Sequence, residues 1–113
     1  MKISAQQAKE KKLNNSTTIW EYDLPSKNLS FSRAHINGRF PQKGLATNSE
    51  CEEIYYIVGG SGTVHSKFGD FEINKGDIYH FIKGEKYWTE GRDLAVVLFN
   101  SPRWTPEQFK EII

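Results

Sequence analysis

The sequence predicts an all-β fold, a sandwich or closed barrel of short strands. Three observations carry this. From Trp20 onward, stretches rich in β-branched and aromatic residues recur at short intervals. Turn pairs such as Asn37-Gly38, Gly69-Asp70 and Gly76-Asp77 fall between them. Almost nowhere do apolar residues recur with the spacing of an amphipathic helix.

Taken in order, residues 4 to 13 are polar helix formers with too few apolar positions for a packed face, so residues 1–19 are expected to form a loose arm or a short helix. Leu29 to Ile36 reads as a strand with two faces. Leu29, Phe31, Arg33 and His35 share one face; Ser30, Ser32, Ala34 and Ile36 share the other, and the pattern leaves open which points inward. Pro41 and Gly44 mark a loop. Ile54 to Val58 is apolar, β-branched and aromatic, as a central strand requires, and Gly59-Gly60-Ser61-Gly62 is expected to turn the chain. Thr63–Phe68 and Phe71–Ile73 should form a hairpin around Gly69-Asp70, where glycine supplies a positive φ at little cost. Strands at Ile78–Ile82 and Leu94–Phe99 follow. Thr105, Pro106 and Gln108 have the arrangement of a capped helix start, so residues 105–113 are expected to be a C-terminal helix packed on a barrel of residues 20–104.

Composition bounds the function. A chain of 113 residues is one domain, whose folding removes roughly two thirds of the unfolded surface from water. Its 15 basic and 14 acidic side chains leave a net charge of +1, and the Lys9, Lys11, Lys12 group is broken by Glu10. Nucleic-acid binding, which needs a concentrated basic footprint, is not expected. Neither is membrane insertion, since no apolar run approaches the ~20 residues of a span. The N-terminus has no apolar signal segment, and the chain is expected to be cytoplasmic. A single cysteine excludes an internal disulfide. Glu50 and Glu52 flank Cys51 and disfavour its thiolate, so it reads as an ordinary strand-edge residue rather than a nucleophile.

The stretch from Arg39 to Gly91 resembles the two-motif core of the cupin superfamily. The first motif ends in a glutamate, six residues and a glycine, matched by Glu53, Ile54 to Gly59, and Gly60. The second begins at Gly76 and continues through Ile82, Lys83, Gly84, Glu85 and Lys86 to Tyr87. Fifteen residues separate Gly60 from Gly76, a short spacer typical of small bacterial cupins. Gly38-Arg39-Phe40-Pro41, Gly84-Glu85-Lys86-Tyr87-Trp88 and Pro102-Arg103-Trp104-Thr105-Pro106-Glu107-Gln108 resemble one subgroup of these. The resemblance implies a cupin β-sandwich barrel, or jelly roll, with a short C-terminal helix.

The resemblance breaks where metal-dependent cupins bind their ion. Their first-motif histidines fall here at Ala46 and Asn48, or at Thr47 and Ser49, and their second-motif histidine falls at Tyr87. Only the carboxylate, Glu53, remains of four ligands. A transition metal wants three or four N, O or S donors, so no metal and no other cofactor is expected. His65 and His80 lie elsewhere and do not replace the missing pair.

The resemblance turns Glu53 and Tyr87 toward the barrel interior, and alternation puts Tyr55 on the Glu53 face. These three, with Trp88 and His35, are the candidate ligand-binding residues. Set against this is a structural pair of buried groups that bond each other. Arg33 and Arg39 are weaker candidates, and Trp104 reads as a packing anchor. Two functions are expected from this set. One is a metal-free module holding a sugar or small polar metabolite. The other is a metal-independent enzyme, similar to sugar-nucleotide epimerases and isomerases, with Glu53 and Tyr87 as acid–base pair. The 3 Trp, 5 Tyr and 7 Phe exceed what one small core needs, and with exposed sheet edges they point to a homodimer.

Overall fold

A computed structural model describes all residues, 1–113. After one 3₁₀ turn at Ala5–Gln7 come nine strands: β1 (Lys9–Asn14), β2 (Thr17–Tyr22), β3 (Ser30–Phe40), β4 (Leu45–Asn48), β5 (Glu52–Ser66), β6 (Gly69–Asn74), β7 (Ile78–Phe81), β8 (Tyr87–Ser101) and β9 (Phe109–Ile112). They form one curled antiparallel sheet. β5 and β8 are its spine, paired from Glu52↔Ser101 to Ser66↔Tyr87. β3 runs along the other edge of β8 and carries β2 and then β1; β6 and β7 line the other edge of β5.

Period-2 alternation builds the core. Glu53, Tyr55 and Ile57 on β5 point inward, as do Leu94, Val96, Leu98 and Asn100 on β8. On β3 the inward face is Ser32, Ala34 and Ile36, which resolves the ambiguity of that strand. Facing apolar residues of β8 and β5 select it: Ala34 lies opposite Val96, and Val96 opposite Ile57. Arg33 therefore faces outward, its guanidinium 4.2 Å from the Trp20 ring centre.

Several expected turns are bends within long strands. The Asn37-Gly38 pair is a bulge in β3, and Gly59 to Ser61 form bulges in an uninterrupted β5. Gly38, Gly91 and Gly62 lie side by side across β3, β8 and β5. A Cβ on Gly91 would stand 2.2 Å from the Ile36 carbonyl oxygen, and one on Gly62 would stand 2.5 Å from that of Glu90. These glycines let the sheet fold back on itself rather than end a strand. The hairpin turn before β6 sits at Lys67-Phe68, two residues earlier than expected, with Gly69 taking φ +133° where the turn closes.

Both ends of the chain differ from expectation. The segment expected as an arm outside the barrel supplies β1 and half of β2. β1 is a one-sided edge strand held by its backbone ladder and by cross-strand contacts, Lys11–Glu21 at 2.7 Å and Trp20 Nε1 to Glu10 at 2.9 Å. An edge strand that buries nothing has a polar sequence, which resembles that of an unpacked helix. The expected C-terminal helix is one 3₁₀ turn, Pro106–Gln108, followed by β9. Thr105 makes no capping bond, and residues 109–112 pair instead with the open edge of β4. Eight residues are too few to nucleate a helix in competition with a sheet edge.

The loop between β7 and β8 is tied by Glu85, which is 2% exposed. Its carboxylate accepts from Ser66 Oγ (2.6 Å), Tyr79 Oη (2.5 Å) and the Ile82 backbone N–H (2.9 Å). Burial, aided by this bond, pushes the Tyr79 phenol up to about 12.

Candidate functional site

The concave side of the sheet encloses a cleft of about 840 Å³. Glu53 and Tyr55 of β5, Tyr87, Leu98 and Asn100 of β8, and Ser32 and Ala34 of β3 line its floor. Lys9, Lys11 and Leu13 of β1 form one wall, and Trp104 to Glu107 with Phe109 form the other. Both chain ends, expected to lie outside the barrel or packed on it, therefore shape its mouth.

Glu53 is 6% exposed, and Asn100 Nδ2 donates to its Oε1 at 2.8 Å. Burial raises the Glu53 pKa to about 7, opposed by hydrogen bonds from Asn100 and Asn48 that favour the charged form. Tyr87 is 2% exposed and Tyr55 1%. Both phenols are pushed up by burial and then by the nearby Glu53 charge, so each remains a protonated donor at neutral pH. Tyr55 Oη lies 3.1 Å from Thr89 Oγ1. Phe81 packs between the two rings, 4.8 Å from Tyr55 and 4.2 Å from Tyr87 by centroids, and restricts their rotation. The floor thus combines a carboxyl group that titrates near neutrality, two phenol donors and an amide. The aromatic rings of Phe40, Trp104 and Phe109 stand above it.

The structure brings Glu53, Tyr55 and Tyr87 to one cleft and turns the other two candidates away. Trp88 follows Tyr87 on the same strand and so faces outward, stacked on His65 at 3.8 Å with the Arg39 guanidinium 4.1 Å from its ring centre. His35 shares the outer face of β3, 3.4 Å from Asp93 Oδ1. Both corrections have the same cause, strand parity. Asn100 and Gln108 were not among the sequence candidates. Asn100 had a legible signal, because the alternation Leu94, Val96, Leu98 continues to it. Gln108 had none, since it read as part of a helix cap. Cys51 is buried, 1% exposed, and burial pushes its thiol up to about 11, far from a nucleophile.

The donor set does not fit the metal centre of cupin enzymes. No group of three His, Cys, Asp or Glu side chains is arranged so that it could hold a metal ion. Around Glu53 the positions that would supply imidazoles hold Ala46, directly opposite Tyr87, and Asn48, whose Oδ1 already accepts from Gln108.

Fold and cleft together define a small single-domain cupin barrel. Among its structural neighbours are several cupin-fold proteins. Streptomyces PAC13, solved as variants with uridine and described as a nucleoside dehydratase, superposes with TM-score 0.89 at 13% identity over 99% of this chain and 90% of its own. KdgF from Halomonas sp. gives 0.75 at 12% identity over 92% and 94%. The Bacillus subtilis oxalate decarboxylase gives 0.80 at 18% identity over 97% of this chain and 32% of that one. No family sequence model and no curated protein sequence matches the chain.

Proposed function

We propose that this protein binds a small, polar, uncharged metabolite of the nucleoside or sugar class in its cleft, without a metal. The observation that carries the reading is the two-part lining: a floor of Glu53, Asn100, Tyr55 and Tyr87 beneath the rings of Phe40, Trp104 and Phe109. Its volume of about 840 Å³ suits a metabolite-sized ligand. Hydroxyl groups of a sugar match the floor, and a planar base or the apolar face of a sugar ring matches the aromatic rim. The cations at the mouth are largely spoken for, Lys11 by Glu21 and Arg103 by Asp23, each at 2.7 Å, which favours an uncharged ligand over a phosphorylated one. The PAC13 structures with uridine support this class on the same barrel.

A second reading is favoured by the Glu53 pKa near 7, a suitable value for a general base at neutral pH. Glu53 would remove a proton from a carbon beside a carbonyl, the electron pair passing into the enolate, and Tyr87 would return a proton to that carbon, as in a metal-independent epimerase or isomerase. The two readings separate in one experiment. Uridine, adenosine, uridine monophosphate and neutral hexoses are titrated at millimolar concentration while Tyr55 and Tyr87 resonances are followed. A neutral nucleoside or sugar is expected to shift them and to bind about tenfold more weakly to Glu53→Gln and Tyr87→Phe. No shift with any of them would overturn the binding reading. Deuterium appearing on a ligand carbon in heavy water, and not with Glu53→Gln, would establish the enzyme.

We also propose that two copies pair through the outer sheet face, and that the protein works in the cytoplasm. Tyr56 and Val58 of β5, Ile78 of β7, Phe99 of β8 and Leu29, just before β3, are between 43% and 62% exposed. Glu52 and His80, paired at 2.7 Å, flank this apolar face. A neutral sheet face with a polar border is self-complementary across a two-fold axis. No helix is long and apolar enough to cross a membrane.

A further inference from the structure

Glu85 is buried but does not line the cleft, and every group bonded to its carboxylate donates. The Ile82 N–H meets Oε1 at 2.9 Å, while Ser66 Oγ and Tyr79 Oη share Oε2 at 2.6 and 2.5 Å. The Ser66 oxygen accepts from the Phe68 N–H at 3.2 Å, which leaves its proton for Glu85. The Glu85 N–H donates in turn to the Ile82 carbonyl at 3.1 Å. A buried acceptor held by three donors is fixed in place, and it fixes what donates to it.

Of the three donors, Tyr79 reaches furthest. It shares the inner face of β7 with Phe81, two residues on, and their ring centroids are 4.6 Å apart. Phe81 is 2% exposed and packs on Tyr87 at 4.2 Å and on Tyr55 at 4.8 Å. One short hydrogen bond and two ring contacts therefore lead from Glu85 through Tyr79 and Phe81 to Tyr87. The backbone of Tyr87 is held by other means. It pairs with Ser66 in the β5–β8 ladder, and the Lys67 N–H donates to the neighbouring Lys86 carbonyl at 3.2 Å. What the Glu85 route adds is restraint of the ring, because Phe81 is backed by Tyr79 and Tyr79 is tied to Glu85.

We propose that Glu85 is a positioning residue of the cleft: through its hydrogen bond to Tyr79 it holds Phe81 against Tyr87 and Tyr55, and so keeps both phenols of the floor in place from behind. The inference rests on the ligand reading only in giving those phenols a use; the contacts exist without a ligand. Rings already held in one orientation lose less freedom when a ligand arrives, which favours binding.

The test needs no ligand, so its failure is distinct from failure of the ligand reading. Ring-flip rates of Phe81, Tyr55 and Tyr87 are measured by NMR line shapes in wild type, Tyr79→Phe, Glu85→Gln, the double variant and Ser66→Ala. Tyr79→Phe keeps the ring and removes the bond, so Phe81 and Tyr87 are expected to flip about tenfold faster, as loss of a carboxylate hydrogen bond implies. Glu85→Gln should speed them as much. The Ile82 N–H can only donate and claims the amide oxygen, which turns the NH₂ toward Tyr79. The double variant should flip no faster than Glu85→Gln alone. Ser66→Ala removes the other bond to Oε2 and leaves the Tyr79 bond, so its rates should stay within about twofold of wild type. A Tyr79→Phe protein that is less stable but flips at wild-type rates would reduce Glu85 to a brace for the loop and overturn the proposal. Additive effects in the double variant, or Ser66→Ala rings that flip as fast as those of Tyr79→Phe, would do the same. Should Glu85→Gln not fold, the near-isosteric Tyr79→Phe measured against Ser66→Ala decides alone.

Discussion

Asn100 Nδ2 donates to Glu53 Oε1 at 2.8 Å across the β5–β8 ladder, where the two residues are direct register partners. Both are 6% exposed. The pair places a carboxyl group and its amide donor on the floor of the cleft, at the junction of the two strands that form the spine of the fold.

The first prediction concerns pH. Burial raises the Glu53 pKa from 4.5 to about 7, so the folded chain keeps a proton that the unfolded chain releases in that window. The stability tied to this group is full below pH 4.5 and is lost as pH rises to about 7. Wild type should therefore lose roughly 2–4 kcal/mol across the window relative to Glu53→Gln. Urea unfolding at both ends of the range measures the difference; parallel curves for the two proteins would refute the assignment.

Removing the amide donor should have a cost that depends on the charge of Glu53. Asn100→Leu is expected to destabilise by about 2–3 kcal/mol at pH 8, where the carboxylate is ionised, and by about 1 kcal/mol at pH 5. An equal loss at both values would mean that the amide contributes packing alone.

At the bend of the sheet, Gly91→Ala should cost at least about 3 kcal/mol, because the neighbouring atom is backbone and cannot step aside. Gly76→Ala is the control. Nothing lies within 4 Å of its added Cβ, and the cost is the φ of +93° alone, about 1–2 kcal/mol. Thermal unfolding of the two variants should rank them in that order, and the reverse order would contradict the close strand approach.

For the outer face, light scattering at tens of micromolar should give twice the 13.0 kDa chain mass. Tyr56→Asp with Ile78→Asp should give the single mass with the far-ultraviolet spectrum unchanged. A wild-type monomer would remove the dimer.

Strand existence and the pairing of Glu53 with Tyr55 on one face are local properties, set by β-propensity and by the period-2 geometry of a pleated chain. The sequence by itself determined an all-β barrel with its central strand at Ile54–Val58. Only the tertiary structure decided the rest. Ala34 rather than His35 faces inward because Val96 and Ile57 wait there, a choice made by partners remote in sequence. Trp88 turns outward because it neighbours an inward Tyr87, and that parity follows from the register with β5. Gly59 to Gly62 bend a strand instead of ending it, since a continuous ladder to β8 spans them. The polar segment Lys9–Asn14 and the capped-looking Thr105–Gln108 became cleft walls because β2 and β4 offered open edges for pairing. Backbone hydrogen bonding at a sheet edge needs no side-chain pattern, so local sequence carries little trace of which segment will satisfy it.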